Sequence, residues 1–385
     1  GLGFDPFKDR GAIERVDRSA PTARLVTPLD QGNFGQLVDI DSDLDEVRLT
    51  GRDARGVQQF VIQLTDVGVG VDKNSVVKIQ RRTDDLMVVT WIINNICTNA
   101  CSYCPKNLHT GKNHHYDWEN EKRFWQLLLK KHSKLQVALS GGEPTLSPFL
   151  LDFVKMIYDT GNKVGITTNL ARTPRYMKTL APFLAYVSAS YHPSFEDKDF
   201  LEKALAAADL TPVNIRVMMD SRYWDVGMKF LESCKPYKHI TVEAVKVYDW
   251  ITGDNTGCDY TEEQLKWFDN TTTQDAEWMP VPKHTIDSRS NITFEDGEVI
   301  NSNGAEQELI NAGKTNFKGW KCSMGLESLF IQYTGEMYLA NCFQGGTIGH
   351  INEPENIKWP TQQTVCIKDR CICTTDVLLT KERVW

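Results

Sequence analysis

Between Leu86 and about Lys246 the chain alternates short apolar runs with stretches whose apolar residues recur at helical spacing. Leu86 to Ile93 reads as a strand, Trp118, Trp125, Leu128 and Leu129 fall on one helical face, and Leu135 to Leu139 is a second strand. Ser147 as N-cap and Pro148 at the first helical position open a helix striped by Leu150, Phe153, Val154 and Ile157. Val164 to Thr168 is a third strand, and Thr173 followed by Pro174 starts another helix. Ala185 to Ala189 is a fourth strand. Ser194 with Asp197 then resembles a capping box ahead of Phe200, Leu201, Ala204 and Leu205. Val213 to Met218 and Ile240 to Val247 supply a fifth and a sixth strand around a helix carrying Trp224, Met228 and Leu231. Such repetition predicts a parallel sheet with right-handed crossovers, curled into a partial or full α/β barrel.

Outside that region the pattern changes. Residues 1–84 carry short alternating runs (Ala23 to Val26, Val47 to Leu49, Phe60 to Leu64, Ser75 to Ile79) broken by Gly and Asp, a β-rich N-terminal module. The repeating region is assigned to 85–270 and closes with a helix capped by Thr261 and Gln264. Residues 271–316 form a polar, irregular linker with a hairpin signal at Asp296 and Gly297. A second hairpin, turning at Thr334 and Gly335, opens a small C-terminal domain over 317–385.

Composition narrows the classes. With 385 residues, 41% of them hydrophobic, the chain is globular rather than disordered. A net charge of −8 gives no strong nucleic-acid signal, because proteins that grip phosphate carry a basic surplus. No apolar run approaches the roughly 20 residues of a membrane span, and the first residues lack the succession of a secretion signal. The expectation is a soluble, cytoplasmic protein.

The ten cysteines are unevenly placed: three in 97–104, five in 322–373, and two alone. Disulfides suit small secreted scaffolds, whereas thiols of a large cytosolic chain more often bind metal or do chemistry. Cys97, Cys101 and Cys104 form a C-x3-C-x2-C triplet directly after the first strand. Three thiolates on one loop can hold three irons of a cubane and leave the fourth iron open. The competing reading is zinc, with His109, His114 or His115 nearby, although structural zinc generally uses shorter cysteine pairs.

This triplet, with Tyr103 before its last cysteine, resembles the signature of the radical S-adenosylmethionine (SAM) superfamily. Ser140, Gly141, Gly142, Glu143 and Pro144 close the second strand and resemble that family's glycine-glycine-glutamate motif. The resemblance covers roughly residues 86–250 and implies a partial (β/α)6 barrel, TIM-like, with a 4Fe-4S cluster on the three cysteines and SAM at its open iron. It implies that Gly141, Gly142 and Glu143 meet the SAM ammonium, and it makes Tyr103 a further cofactor-binding residue. Asn169, Ser188, Ser190 and Arg216 would provide polar groups for ribose and carboxylate, and Val245 would pack on adenine. Each of these strand-end residues, taken singly, is more often a satisfied polar or core residue of a barrel than a ligand; together they fall where barrel enzymes keep their sites.

Cys322, Cys342, Cys366, Cys371 and Cys373 converge around the second hairpin. They resemble the Twitch or shortened SPASM extension of radical SAM enzymes, which carries an auxiliary 4Fe-4S cluster. Four of the five would ligate it, with Cys366 or Cys373 left over, and a four-thiolate zinc site is the alternative. Cys234 reads as core. Cys258, after the sixth strand, is a candidate hydrogen-atom donor to a substrate radical or an ordinary loop thiol. His192 is a candidate to meet substrate or a structural histidine. The implied activity is that of a radical SAM oxidoreductase or isomerase: reductive cleavage of SAM to a 5'-deoxyadenosyl radical, which takes hydrogen from substrate carbon. Expected partners are an electron donor such as flavodoxin or ferredoxin, and a substrate peptide or protein side chain. A small polar or nucleoside-type substrate is the alternative. An iron-sulfur electron-transfer or regulatory protein that leaves SAM intact is the reading from another class.

Overall fold

The computed structural model describes residues 36–43, 46–53, 56–63, 75–112, 117–247, 258–271, 274, 288–302 and 305–383. The expected strand at Ala23 to Val26 and the residues His114 and His115 lie outside them. The chain divides into two compact units, one of residues 1–75 with 294–298 and the other of 76–293 with 299–385. The first contains an antiparallel meander, β1 (Gln36–Asp43), β2 (Glu46–Asp53) and β3 (Gly56–Gln63). Its central strand pairs Val47 with Ser42 on one side and Ile62 on the other.

The second unit begins with β4 (Val76–Arg81) and then runs through the repeating region. There, β5 (Leu86–Ile92), α1 (Trp118–Lys131), β6 (Lys134–Ser140), α2 (Leu150–Asp159), β7 (Lys163–Thr168) and α3 (Pro174–Leu180) alternate strand with helix. The alternation continues through β8 (Tyr186–Tyr191), α4 (Phe200–Ala208), β9 (Val213–Met219), α5 (Trp224–Cys234), β10 (Thr241–Lys246) and α6 (Glu262–Asn270). β5 to β10 lie side by side in chain order and pair in parallel, the strand order expected of a partial (β/α)6 barrel. The sequence dictates which face the helices cover. In β9, Val213, Ile215, Val217 and Met219 are buried while Asn214, Arg216 and Met218 on the other face are half-buried, the two-residue period of a strand with one apolar side. Beneath the helices, Trp91 packs on Trp125, Phe149 and Phe153 with ring centroids 5.2, 6.1 and 5.1 Å away. Burying each of these side chains contributes about 1.5–3 kcal/mol.

The remaining elements are β11 (Ser290–Phe294), β12 (Val299–Asn301), α7 (Ala305–Asn311), β13 (Lys321–Cys322), β14 (Ser328–Ile331), β15 (Glu336–Tyr338), β16 (Thr347–His350), β17 (Thr364–Val365), α8 (Thr374–Val377) and β18 (Lys381–Glu382). Both expected hairpins form, β11 with β12 and β14 with β15. Their settings differ from the expectation. β14 pairs in parallel with β5, Ser328 opposite Val88 and Ile331 opposite Trp91, so the second hairpin extends the barrel sheet. The first hairpin lies in a six-stranded sheet ordered β12-β11-β4-β18-β13-β17. β4, expected within the N-terminal module, therefore belongs with the chain's last strands.

Two helix starts also need correction. Ser147 ends a single 3-10 turn over Pro144–Leu146, and α2 begins after Phe149, because the Glu143 carboxylate caps that turn first. Ser194 and Asp197 form no capping box: Pro193–Phe195 is a 3-10 turn, Glu196 sits at φ +40°, and Asp199 precedes α4. Thr173 and Thr261 cap α3 and α6 as expected.

Candidate functional site

The strand that leads into the cysteine triplet is followed by two buried asparagines. Asn94, 0% exposed, donates from Nδ2 to the Glu143 carbonyl at 2.9 Å. Its Oδ1 accepts from the main chain of Ile96 at 3.1 Å and of Glu143 at 3.3 Å. Main-chain bonds from Gly142 to Asn94 (2.9 Å) and from Glu143 to Ile96 (2.6 Å) complete the seam. Asn95 holds the outgoing limb, donating to the carbonyls of Asn107 at 3.0 Å and Lys112 at 2.6 Å. This contact gives Gly141 and Gly142 their reason. A Cβ on Gly141 would lie 2.6 Å from the Asn94 carbonyl oxygen, and one on Gly142 would collide with the carbonyls of Ile96 and Leu108. The glycines admit the cysteine loop itself, main chain against main chain.

On that loop Cys101 is buried, and Cys97 and Cys104 are half-buried. Cys97 Sγ accepts from the Asn99 main chain at 3.4 Å and stands 3.5 Å from Asn169 Nδ2. Cys101 Sγ lies 3.4 Å from His192 Nδ1. Burial is the first cause raising all three thiols, Cys101 to about 12 and Cys104 to about 11, with neighbouring sulfurs adding repulsion at Cys101 and Cys104 and the Glu143 charge adding it at Cys97. The protein alone therefore keeps them protonated, and bound cations are what would favour thiolates. Tyr103 shares a 2.7 Å hydrogen bond with His192 Nδ1, and the two rings stack 6.0 Å apart. Burial holds His192 neutral, its pKa lowered to about 4. From the end of β9, Arg222 grips the buried Asp220 (2.9 and 2.5 Å) and donates to Ser102 Oγ at 2.7 Å, bracing the loop.

Glu143 joins this loop to the next strand end. It is 0% exposed, and Oε1 accepts from the Thr145 main chain (2.9 Å), Thr145 Oγ1 (2.6 Å) and Thr168 Oγ1 (2.6 Å). Oε2 accepts from the Asn169 main chain at 2.7 Å. Burial pushes the carboxyl up, and these hydrogen bonds work against that shift. The expectation that the side chain meets the SAM ammonium is narrowed: four donors of the chain already engage it.

Beside the loop is a cavity of about 310 Å3, lined by Thr98, Asn99, Asn169, Ser190, His192 and Lys203 among others. It brings together three of the expected residues, Asn169, Ser190 and His192. Lys203, not singled out in the sequence, enters it from α4 with its Nζ 2.7 Å from Asp197. Ser188, Arg216 and Val245 are half-buried on β8, β9 and β10 and do not line this cavity. Arg216 Nε instead donates to Glu243 on the neighbouring strand at 2.6 Å, which Asn214 also reaches at 3.0 Å. Cys258 packs beside the small group of Cys101, Tyr103 and Val247. His109 is half-buried on the loop itself.

In the C-terminal segment, Cys322, Cys342, Cys366 and Cys371 line one small cavity together with Asp376 and Lys381. Cys373 is absent from its lining and precedes α8, its carbonyl accepting from Val377 at 2.9 Å. Burial raises Cys322, Cys342, Cys373 and Cys371, the last to about 12. None of the ten cysteines, all within the described residues, forms a disulfide. Among the described residues no three His, Cys, Asp or Glu side chains converge on a single ion position. Clusters ask for something else, thiolates that surround a group rather than meet at a point. Both thiol sets fit a cluster by donor chemistry: three on a loop beside a polar cavity, and four facing one another from three stretches of chain. At the second site the free space is only about 20 Å3, so that fit rests on the donors and not on volume.

The fold and these residues define an α/β protein whose thiol-bearing site lies at the carboxyl ends of parallel strands, where such sheets keep their ligands. Residues 91–215 match the profile of the Radical SAM superfamily, a span that takes in the cysteine loop and the strands beside it. Among solved structures, Streptococcus suis SuiB bound to S-adenosylmethionine is similar at 11% identity and a TM-score of 0.43, over 70% of this chain and 64% of that one. This chain thus spans just under two thirds of SuiB. Native anSMEcpe with bound AdoMet and Kp18Cys peptide is similar at 16% identity and a TM-score of 0.41, over 70% and 78% of the two chains. Escherichia coli HemN, a coproporphyrinogen III oxidase described as a radical SAM enzyme, follows at 11% and 0.40, over 63% and 78%. No curated protein matches. No helix among the described residues is long and apolar enough to cross a membrane.

Proposed function

We propose that this chain is a radical SAM enzyme that cleaves S-adenosylmethionine reductively and modifies a peptide or protein side chain. The observation that carries the reading is the seam between the cysteine loop and the Gly141 to Glu143 turn, made by Asn94, within a region matching the superfamily. Cys97, Cys101 and Cys104 would hold a 4Fe-4S cluster, and when bound it supplies the electron that breaks the SAM sulfonium bond. The chain's own residues do the positioning. Asn94 and Asn95 fix both limbs of the loop, and Glu143 ties the turn to Thr168 and Asn169 so that main-chain groups there receive the SAM ammonium. The polar cavity of Thr98, Asn169, Ser190 and Lys203 suits the zwitterionic methionine end, Lys203 facing its carboxylate. Tyr103 and His192 bound the same space with aromatic surface.

Cys322, Cys342, Cys366 and Cys371 would hold an auxiliary 4Fe-4S cluster of Twitch or SPASM type, with Cys373 outside the ligand set. An auxiliary cluster suits a net oxidation or crosslink, with flavodoxin or ferredoxin as the electron donor. Cys258, packed beside the cysteine loop, supports the reading in which its thiol returns a hydrogen atom, giving an isomerisation or epimerisation. The peptide preference rests on the N-terminal β module, which can grip a polymer; a small polar or nucleoside-type molecule is the competing substrate. The enzyme is assigned to the cytoplasm, where thiols stay reduced.

Anaerobic reconstituted protein given SAM and dithionite should release 5'-deoxyadenosine, and Cys97→Ala should release none. No 5'-deoxyadenosine from an iron-loaded wild type, or equal amounts from both proteins, overturns the proposal in favour of an electron-transfer or regulatory role.

A further inference from the structure

Lys381 is a buried cation that the proposed chemistry leaves unexplained. It is 2% exposed, and it sits in the penultimate strand position opposite Cys322 in the antiparallel pairing of β18 with β13. Residues directly opposite in such a pair point to the same face, with Cβ atoms about 4.5–5.5 Å apart. Its Nζ donates to the carbonyls of Asp376, Val377 (3.1 Å) and Leu379 (3.2 Å), and it lies 5.2 Å from the centre of the Phe317 ring. Three hydrogen bonds use every donor of an ammonium and fix its position. The same side chain lines the cavity shared by Cys322, Cys342, Cys366 and Cys371. Asp376 lines it too, with its carboxylate accepting from Asn341 Nδ2 at 2.9 Å.

An ammonium taken out of water is costly unless negative charge or aligned dipoles compensate it. Carbonyl dipoles and the Asp376 carboxylate on the same cavity wall do part of this, and thiols that become thiolates would add further negative charge. We propose that Lys381 is a positioning residue for the auxiliary cluster: its fixed positive charge beside Cys322 offsets the anionic four-thiolate set and raises the cluster's reduction potential. This rests on the auxiliary-cluster reading above. The reduced cluster carries one more negative charge than the oxidised one, so a nearby cation stabilises the reduced form more, and charge in the surroundings is one of the levers that set such potentials. A purely structural Lys381, present only to cap the carbonyls after α8, makes no such difference.

The test compares wild type, Lys381→Met and Lys381→Arg, each reconstituted anaerobically as the full chain, by iron content and by spectroscopic redox titration. Cys97→Ala versions isolate the auxiliary signal. The expected result is a lower auxiliary midpoint potential in Lys381→Met, a value near wild type in Lys381→Arg, and an unmoved first cluster. Loss of auxiliary iron from Lys381→Met alone also supports the proposal, since it makes the cation necessary for holding the anionic group. Two outcomes overturn it: an unchanged potential in an iron-replete Lys381→Met protein, or loss of auxiliary iron from Met and Arg variants alike. Wild type that binds zinc, or iron sufficient for one cluster only, overturns the auxiliary-cluster reading itself and this inference with it.

Discussion

Thr168 Oγ1 donates to Glu143 Oε1 at 2.6 Å, tying the end of β7 to the turn that follows β6. The bond sits within a fully buried carboxylate, where a missing donor is not replaced by water. Thr168→Val keeps the shape and removes the donor. It is expected to cost about 1–3 kcal/mol and to weaken SAM binding, while Thr168→Ser restores both. Thermal melting and equilibrium SAM binding check this; equal values for Val and wild type would contradict it.

Asn94→Ala removes one donor and one acceptor that together hold the cysteine loop to the Gly141 to Glu143 turn. A loss of about 1–3 kcal/mol follows from leaving the Ile96 N–H without its acceptor inside a buried seam, whereas Glu143 keeps its main-chain bonds to Ile96 and Leu146. The sharper readout is iron: the variant should retain less than wild type after reconstitution even at temperatures where it stays folded.

Gly142→Ala should be worse than its size implies. The added methyl meets the backbone carbonyls of Ile96 and Leu108, which cannot swing aside as a side chain would. The cysteine loop must lift from the turn, so iron content and SAM binding should fall together; an alanine variant with full iron would show that the loop approach is dispensable.

Glu121, 1% exposed on α1, has its carboxyl raised from 4.5 to about 8, burial being the first cause. A raised folded-state value stabilises the fold below the unfolded value, and the contribution is lost as pH rises toward the folded one. Wild type should therefore lose stability relative to Glu121→Gln between about pH 4.5 and about pH 8, by a few kcal/mol. Denaturant melts of the two proteins across that range measure it, and parallel curves would refute it.

Cys373 does not line the cavity shared by the other four C-terminal thiols. Cys373→Ala is expected to keep the auxiliary iron, and Cys342→Ala to lose it. The reverse pattern, read by iron analysis, would place Cys373 among the ligands.

The sequence reveals most of what is periodic or local. β5 to β10 follow from apolar alternation, the caps at Thr173 and Thr261 from adjacent residues, and the triplet from spacing. What escapes is what depends on partners far along the chain. Asn94 and Glu143 are 49 positions apart, and the only local trace of their link is a polar pair, Asn94 and Asn95, ending an apolar run. Lys203 looks like any charged helix residue until Asp197 and the cavity wall stand beside it. Ser147 and Pro148 are a sound helix start in isolation, overridden because Glu143 caps an earlier turn. That Cys366 and not Cys373 lines the C-terminal cavity is invisible to spacing because it depends on which way the chain around α8 turns.

The parallel pairing of β14 with β5 bears on how the molecule is made. A ribosome delivers β5 early, yet the strand that covers one of its edges emerges only after the whole repeating region has been synthesised. Until then that edge offers unpaired main-chain groups to any passing strand. Truncation after the last barrel helix would make this exposure permanent, and a shortened chain ending there should aggregate where the 385-residue chain stays monodisperse.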